Sequence, residues 1–183
     1  MPSPATQSSP CEVDDGTDED LEPLLTRVVP AGYEQAPDEA EDTGPTDLDL
    51  AAFFVGTPEE RDVLAELGFR RGYQRLWYAP EGADDLIVHL YEFCDARGAT
   101  GYLRHTRERL LLWGSVEIDV DDVPDGGSAL LQAGDDESFV AILQVNGPFY
   151  VEIGAYGGPP IEPLAELAAR ARNLGAAQLA DLP

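Results

Sequence analysis

The sequence predicts an α+β fold, a mainly antiparallel sheet of about five to six strands covered by helices. Strand-like segments follow one another along much of the chain, whereas a parallel sheet needs a helical crossover between successive strands. Amphipathic helix patterns precede, interrupt and follow these strands. The chain has 183 residues, of which 43% are hydrophobic, enough for one core.

The first fifty residues differ from the rest in charge, with 14 of the 36 acidic residues and a single basic one, Arg27. Residues 1–20 are rich in Pro, Ser, Asp and Glu, which predicts a disordered acidic tether. Residues 21–50 are predicted to be a partly ordered acidic arm, because the apolar segment Leu21–Val29 can pack on the domain as a short helix or strand. Residues 51–183 are then a single α+β domain.

Two short helices are predicted at the start of this domain. Thr46 and Asp47 precede an apolar run, the pattern of a capped helix. The segment 57–60, Thr-Pro-Glu-Glu, predicts a capping box with Thr at the N-cap and Glu at the third helical position. Gly68 is expected to end this second helix.

Two strands, 69–78 and 86–93, are predicted next, joined by a turn at 80–84. Asp95 is expected to cap the helix that follows, which ends at Gly114. Gly98 and Gly101 each weaken that helix by about 1 kcal/mol relative to alanine.

Four further strands are predicted at 116–120, 128–133, 139–145 and 149–154. Asn146-Gly147 predicts a type I′ hairpin turn between the last two, and Pro148 indicates that the final strand begins at an edge or a bulge. A helix from residue 160 to about 177 closes the chain.

The charge excludes one class of partner. A net charge of -25 and a pI near 4.1 repel phosphate backbones and anionic lipids, so nucleic acid is not an expected partner. All 11 basic residues are arginine, which is typical of a GC-rich genome, although selection for anion binding is an alternative. No apolar run is long enough to span a membrane.

The sequence contains no motif for cofactor binding or for catalysis. It has no P-loop, dinucleotide fingerprint, CxxC or Cys/His cluster, so no cofactor and no metal are expected. His89 is expected on a sheet face, and His105 in the polar stripe of a helix. The acidic segment 119–127 lacks the glutamate spacing of a calcium-binding EF-hand. We therefore expect no enzyme, with a carboxylate-dependent hydrolase as the remaining catalytic alternative.

The strand 69–78 carries the most distinctive pattern. Alternate residues of a strand share a face, so its odd-numbered residues place arginines and aromatic rings together. Such a face binds anions, sugars or peptide carboxylates. The alternative is a core edge whose arginines pair with acidic residues or with the arm. With the neighbouring helix included, the predicted ligand- or partner-binding residues are Arg71, Tyr73, Arg75, Trp77, Arg97 and Arg104.

The two cysteines leave two alternatives open. Cys11 lies in the tether, and Cys94 follows an apolar strand. Either they form a disulfide that ties the tether to the domain, or one is a free thiol in the tail and the other a half-buried thiol in the core.

Three segments carry a resemblance to known domains: 68–77, 92–102 and 150–153. Between about residues 60 and 155, the chain resembles uncharacterised exported or lipoprotein-type domains of actinobacteria, and more loosely the Mog1/PsbP-type α+β sandwiches. This resemblance implies an envelope-associated binding domain without catalytic residues.

The function expected from the sequence is therefore a non-enzymatic extracytoplasmic domain that binds a partner protein or a small ligand, as a monomer or weak dimer. The Ser/Thr/Pro-rich start is similar to the tether of exported proteins, with a lipid anchor expected upstream of Met1. The alternative is a cytoplasmic acidic regulatory or accessory protein whose arm occupies a basic site on its partner.

Overall fold

A mixed architecture of helices and one antiparallel sheet is seen in the computed structural model, which describes residue 11 and residues 19–37, 40, 43–79, 84–120, 123, 126–133, 138–157 and 164–183. The strands are β1 (Glu34–Gln35), β2 (Gly44–Thr46), β3 (Phe69–Tyr78), β4 (Asp84–Phe93), β5 (Val116–Glu117), β6 (Ser128–Ala133), β7 (Ser138–Asn146) and β8 (Phe149–Gly157). The helices are α1 (Leu48–Val55), α2 (Glu60–Glu66), α3 (Ala96–Leu112) and α4 (Leu164–Ala180), and a 3-10 helix covers Glu19–Leu24.

The sheet is open, and its strand order is β1-β3-β4-β8-β7-β6-β5, with β2 also paired to β3. Every pairing is antiparallel. The predicted α+β class is therefore confirmed. Among the described residues the sheet has eight strands rather than five to six, because the arm adds β1 and β2 along β3.

Helices cover both faces of the sheet, because side chains alternate between the faces of each strand. One face packs against α4 and the arm, in a core that includes Leu21, Leu25, Trp77 and Leu174. The other face packs against α1, α2 and α3 in a second core. Sheet residues are therefore buried on both sides.

Two of the predicted helix caps are present. Asp47 caps α1 by accepting a hydrogen bond from the Leu50 amide at 2.8 Å. Asp95 caps α3 by accepting from the amides of Arg97 and Gly98, each at 2.9 Å. Both carboxylates satisfy amides that have no partner within the helix.

The capping box predicted for the second helix was wrong. Helix α2 begins at Glu60, and its N-cap is Glu59, which makes no side-chain cap. The Glu60 side chain points into the protein and is fully buried there. Gly68 does follow the end of α2, with a φ of 77°.

The turn between β7 and β8 also differs from the prediction. Asn146 pairs with Phe149, so the two loop residues are Gly147 and Pro148 rather than Asn146 and Gly147. Gly147 has a φ of 56°, and Pro148 cannot adopt the second positive φ of a type I′ turn. Because β8 lies between β4 and β7, it begins neither at a sheet edge nor at a bulge.

Several strands begin or end at residues other than those predicted. Strand β5 covers Val116–Glu117 instead of 116–120, and β8 extends to Gly157. Most of the predicted 80–84 turn and the start of the predicted final helix lie outside the described residues. Within the described part of the chain, none of the helices combines the length and the apolar character that crossing a membrane requires.

The arm lies against α4. Gln178 of α4 accepts a hydrogen bond from the Thr26 amide at 2.9 Å and donates to the Leu24 carbonyl at 2.7 Å. Leu21 and Leu25 are buried beside it. The predicted tether 1–20 lies outside the described residues apart from three positions, and the division into tether, arm and domain stays a prediction.

A disulfide joins Cys11 to Cys94, across a sequence separation of 83 residues and with 5.7 Å between the Cα atoms. Cys94 is exposed at the end of β4, not half-buried in the core. Of the two alternatives that the sequence left open, the structure has the bridge, which ties the tether to the domain.

Candidate functional site

The predicted arginine and aromatic strand is β3. A register shift between Phe69 and Arg71 turns Phe69 to the face of α1–α3, away from Tyr73 and Trp77. Tyr73, Arg75 and Trp77 remain on the opposite face, where each is at least 94% buried. The odd-numbered residues of β3 therefore do not share one face.

Arg75 lies beneath the arm. Its guanidinium donates to the Thr26 carbonyl at 3.3 Å and lies 3.5 Å from the carboxylate of Glu22. It also lies 5.9 Å from the centre of the Tyr73 ring. These contacts match the alternative in which the arginines pair with the arm.

Arg70 and Arg71 both bind Glu92 on the adjacent strand β4. Arg70 Nη1 donates to Oε1 at 2.8 Å, and Arg71 Nε donates to Oε2 at 2.6 Å. The Glu92 side chain is only 10% exposed. Both arginines therefore hold β3 against β4.

Arg97 and Arg104 are exposed on α3. Helix α3 covers the face of the sheet opposite to Arg75, so the structure does not bring the six predicted residues together on one surface. Their role in binding stays a prediction, and for Tyr73, Arg75 and Trp77 it requires the arm to move.

A cavity of about 320 Å³ opens instead between α1, α3 and the other face of the sheet. Its volume is at the lower end of the range for small-molecule sites. Half of the residues that line it are aromatic: Phe54, Tyr91, Tyr102, Trp113, Phe139 and Tyr156. Its polar lining comes from His89, Arg109, Gln132 and Glu152.

The aromatic rings of this cavity differ in burial. Trp113 and Tyr156 are 48% and 37% exposed and form the rim, whereas Tyr91 and Tyr102 are almost fully buried in the floor. The rings of Phe139 and Tyr156 are 4.7 Å apart, and Phe54 lies edge-on to His89 at 6.3 Å. The cavity therefore has an open aromatic mouth.

One side of the floor rests on a buried cluster around Glu60. Its carboxylate accepts hydrogen bonds from the Tyr102 hydroxyl at 2.6 Å and from Arg109 Nη1 at 2.7 Å. His105 Nε2 lies 3.0 Å from the other carboxylate oxygen. Helix α2 thus supplies the acid, and one face of α3 supplies these three partners. A fourth contact comes from the Thr57 hydroxyl before α2, which donates to the second oxygen of Glu60 at 3.4 Å.

The other side of the floor comes from β4 and β8. The Tyr150 hydroxyl donates to Glu152 at 2.7 Å, and the Tyr91 hydroxyl lies 3.4 Å from His89 Nδ1. The two members of each pair are two positions apart in the same strand, so their side chains lie on the same face of the sheet. They turn the centre of an otherwise apolar sheet face into a polar surface.

Burial and charge fix the protonation states in this floor. Burial opposes ionisation of Glu60, but Arg109 and the hydrogen bonds from Tyr102 and His105 hold the pKa of its carboxyl below the ordinary value. Burial, with the negative charge of Glu152, raises the pKa of the Tyr91 and Tyr150 hydroxyls far above the usual range. Glu60 is ionised and these tyrosines are neutral at physiological pH.

One sequence pattern in α3 does indicate this site. Tyr102 and Arg109 are seven residues apart, so they lie on the same face of α3, and Leu103, Thr106 and Leu110 share its buried side. An arginine on the apolar face of a helix indicates a buried acidic partner. Which of the 36 acidic residues serves as that partner depends on the tertiary fold.

The acidic segment 119–127 is partly outside the described residues. Among the residues that are described, no group of three or more His, Cys, Asp or Glu side chains is arranged to hold a metal ion.

No protein-family model and no curated protein sequence matches this chain. A solved structure, the extracellular domain of PknH from Mycobacterium tuberculosis, is similar with a TM-score of 0.49 and 10% sequence identity. The match covers 88% of this chain and 98% of that one. Neither a family nor an activity follows from it, and the resemblance to actinobacterial exported domains stays a prediction.

Proposed function

We propose that this protein is a non-enzymatic extracytoplasmic domain that binds a small ligand in the cavity between α1, α3 and the sheet. The observation that carries the proposal is the cavity itself, with its aromatic mouth above a floor of fixed polar groups. A concave, mostly apolar site with a few convergent polar side chains is the usual form of a small-molecule site.

The contacts of Glu60 and of the buried tyrosines support binding rather than catalysis by these groups. Glu60 is ionised and already bound by Tyr102, His105 and Arg109, so it has no proton to donate near neutral pH. A general base near neutral pH needs a pKa close to that pH, and the buried tyrosines have pKa values far above it. These groups position a ligand and hold the walls apart.

The disulfide supports the extracytoplasmic location. Disulfides persist in oxidising compartments and are rare in the reducing cytosol. The bridge between Cys11 and Cys94 closes a long loop and ties the tether to the domain. Mass spectrometry of the protein purified from its own host tests this part, since it reports the bridge, any processing and any lipid anchor together.

Chemical-shift mapping tests the binding site. A fragment library is titrated into ¹⁵N-labelled protein, and we expect the largest shifts at cavity residues such as His89, Trp113 and Glu152. The strand β3 around Arg75 serves as the internal comparison. Shifts confined to the exposed arginines of α3, or a library without a single ligand for the cavity, would overturn the proposal.

A further inference from the structure

The chemical class of the ligand is indicated by the charges that line the cavity. Arg109 is the cavity's arginine, and its charge is compensated by Glu60 at 2.7 Å. Glu152 accepts a hydrogen bond from the neutral hydroxyl of Tyr150. Among the ion pairs formed by the described residues, none includes Glu152. The negative charge of Glu152 also acts on Arg109 and helps to raise the pKa of its guanidinium. The cavity and its floor therefore hold two carboxylates, Glu60 and Glu152, against the one guanidinium of Arg109.

The walls around this carboxylate are aromatic. Phe54, Trp113, Phe139 and Tyr156 line the mouth, and their ring faces attract cations through the ring quadrupole. The structure already contains one such contact, because the Arg109 guanidinium lies 5.4 Å from the centre of the Trp113 ring. The Trp113 side chain remains about half exposed, which leaves ring surface for a ligand.

An anionic ligand fits this site less well. A carboxylate or phosphate entering the cavity meets Glu152, and Arg109 already interacts with both Glu60 and Glu152. The net charge of -25 also repels anions and raises the local concentration of cations around the whole protein.

We propose that the cavity binds a small organic cation, an ammonium group on an apolar body, with the cation at Glu152 and the body among the aromatic rings. This inference rests on the proposed function and adds its ligand class. The aromatic walls contribute cation–π attraction and apolar burial, and Glu152 contributes a charge-assisted hydrogen bond.

Three soluble probes of matched shape test the ligand class: 2-phenylethylamine, which is cationic at neutral pH, neutral 2-phenylethanol and anionic phenylacetate. Their affinities are measured by chemical-shift titration against the full chain. We expect the amine to bind at least about tenfold more tightly than the alcohol, a difference of about 1.4 kcal/mol. The acid is expected to bind more weakly than both.

Two variants test whether Glu152 and Trp113 bind the amine. Glu152→Gln keeps the acceptor for Tyr150 and removes the charge. It should therefore weaken the binding of the amine about tenfold and leave the affinity for the alcohol unchanged. Trp113→Leu keeps an apolar wall and should weaken the binding of the amine about fivefold, because it removes the aromatic ring. The matched control is Glu108→Gln, which removes the same charge from the exposed side of α3 and should change the affinity less than about twofold.

The outcomes separate this inference from the proposed function. If the alcohol or the acid binds in the cavity as tightly as the amine, the cationic class is wrong while the small-molecule site remains. If none of the three probes shifts the cavity residues, the cationic class is also overturned, and the fragment library decides the site. Should Glu152→Gln fail to fold, Glu152→Asp, which keeps the charge, must retain the preference of the wild type for the amine.

Discussion

The Tyr102 hydroxyl donates a buried hydrogen bond of 2.6 Å to the carboxylate of Glu60, which lies 42 residues earlier in the chain. Arg109 binds the same carboxylate oxygen at 2.7 Å. The first residue of α2 is therefore connected to two residues of α3 that lie two turns apart on the same face. Because the same α3 residues line the cavity, this cluster fixes the position of its floor.

Replacing Glu60 by glutamine should destabilise the protein. The change keeps an oxygen acceptor for Tyr102 but leaves the largely buried charge of Arg109 without its partner, which typically costs about 3 kcal/mol. Urea denaturation at neutral pH measures the loss. The control is Glu59→Gln, an exposed neighbour whose effect should stay within about 0.5 kcal/mol. Equal effects of the two changes would show that the Glu60 cluster contributes little.

The same cluster predicts a pH dependence of stability. The folded-state pKa of Glu60 is held below its ordinary value of 4.5 by Arg109 and the hydrogen bonds, although burial acts in the opposite direction. Its ionisation therefore stabilises the fold above the unfolded-state pKa, and this stabilisation is lost as the pH falls through the folded-state pKa.

We expect the difference in unfolding free energy between the wild type and Glu60→Gln to be full at about pH 6 and to shrink steadily below about pH 4.5. Comparing the two proteins cancels the titration of the other acidic residues. Urea denaturation at a series of pH values measures the difference. A difference that grows on acidification would mean that the pKa of Glu60 is raised by folding.

The strands were predictable from the sequence because their signal is local. Apolar residues and turn residues gave the bounds of Phe69–Tyr78 and Ser128–Ala133 without error. The bulge at the start of β3 was not predictable, since it depends on how Phe69 and Phe93 pair across two strands. One unpredicted register shift was enough to separate Phe69 from the other odd-numbered residues of β3.

The candidate site was not predictable for a related reason. Its polar floor combines residues from α2, β4, α3 and β8. Apart from Arg109 on the apolar face of α3, each of these residues has an ordinary local context. Glu60 matched a capping box because its neighbours are Thr57 and Pro58, and nothing local indicates that its side chain is buried. Contacts with α3, which is distant in the sequence, place the Glu60 carboxylate in the buried cluster instead of at a helix cap.

Removing the disulfide should destabilise the protein by about 3 kcal/mol, because the bridge restricts an unfolded chain over a separation of 83 residues. The double variant Cys11→Ser/Cys94→Ser is compared with the wild type by urea denaturation, with and without a reductant. The reductant should lower the stability of the wild type to that of the variant and leave the variant unchanged. Unchanged stability of the reduced wild type would show that the bridge does not stabilise the fold.

At Gly98, we expect alanine to destabilise the protein although alanine has the higher helix propensity. In the first turn of α3, a glycine-to-alanine change ordinarily stabilises by up to about 1 kcal/mol. A Cβ atom at Gly98, however, would overlap the carbonyl oxygen of Leu67 at the end of α2, and that backbone atom cannot turn aside as a side chain can. The glycine is therefore required for the close approach of α2 and α3.

We expect Gly98→Ala to destabilise the protein by about 2 kcal/mol, within the range for overpacking a core. The matched control is Gly101→Ala in the same helix, where the added Cβ would lie 2.7 Å from the end of the flexible Leu67 side chain. That side chain can move, so the control should cost less than Gly98→Ala, and thermal unfolding of both variants measures the difference. If Gly98→Ala is instead as stable as the wild type, α2 and α3 are free to separate, and the Glu60 cluster between them cannot hold the floor of the cavity in place.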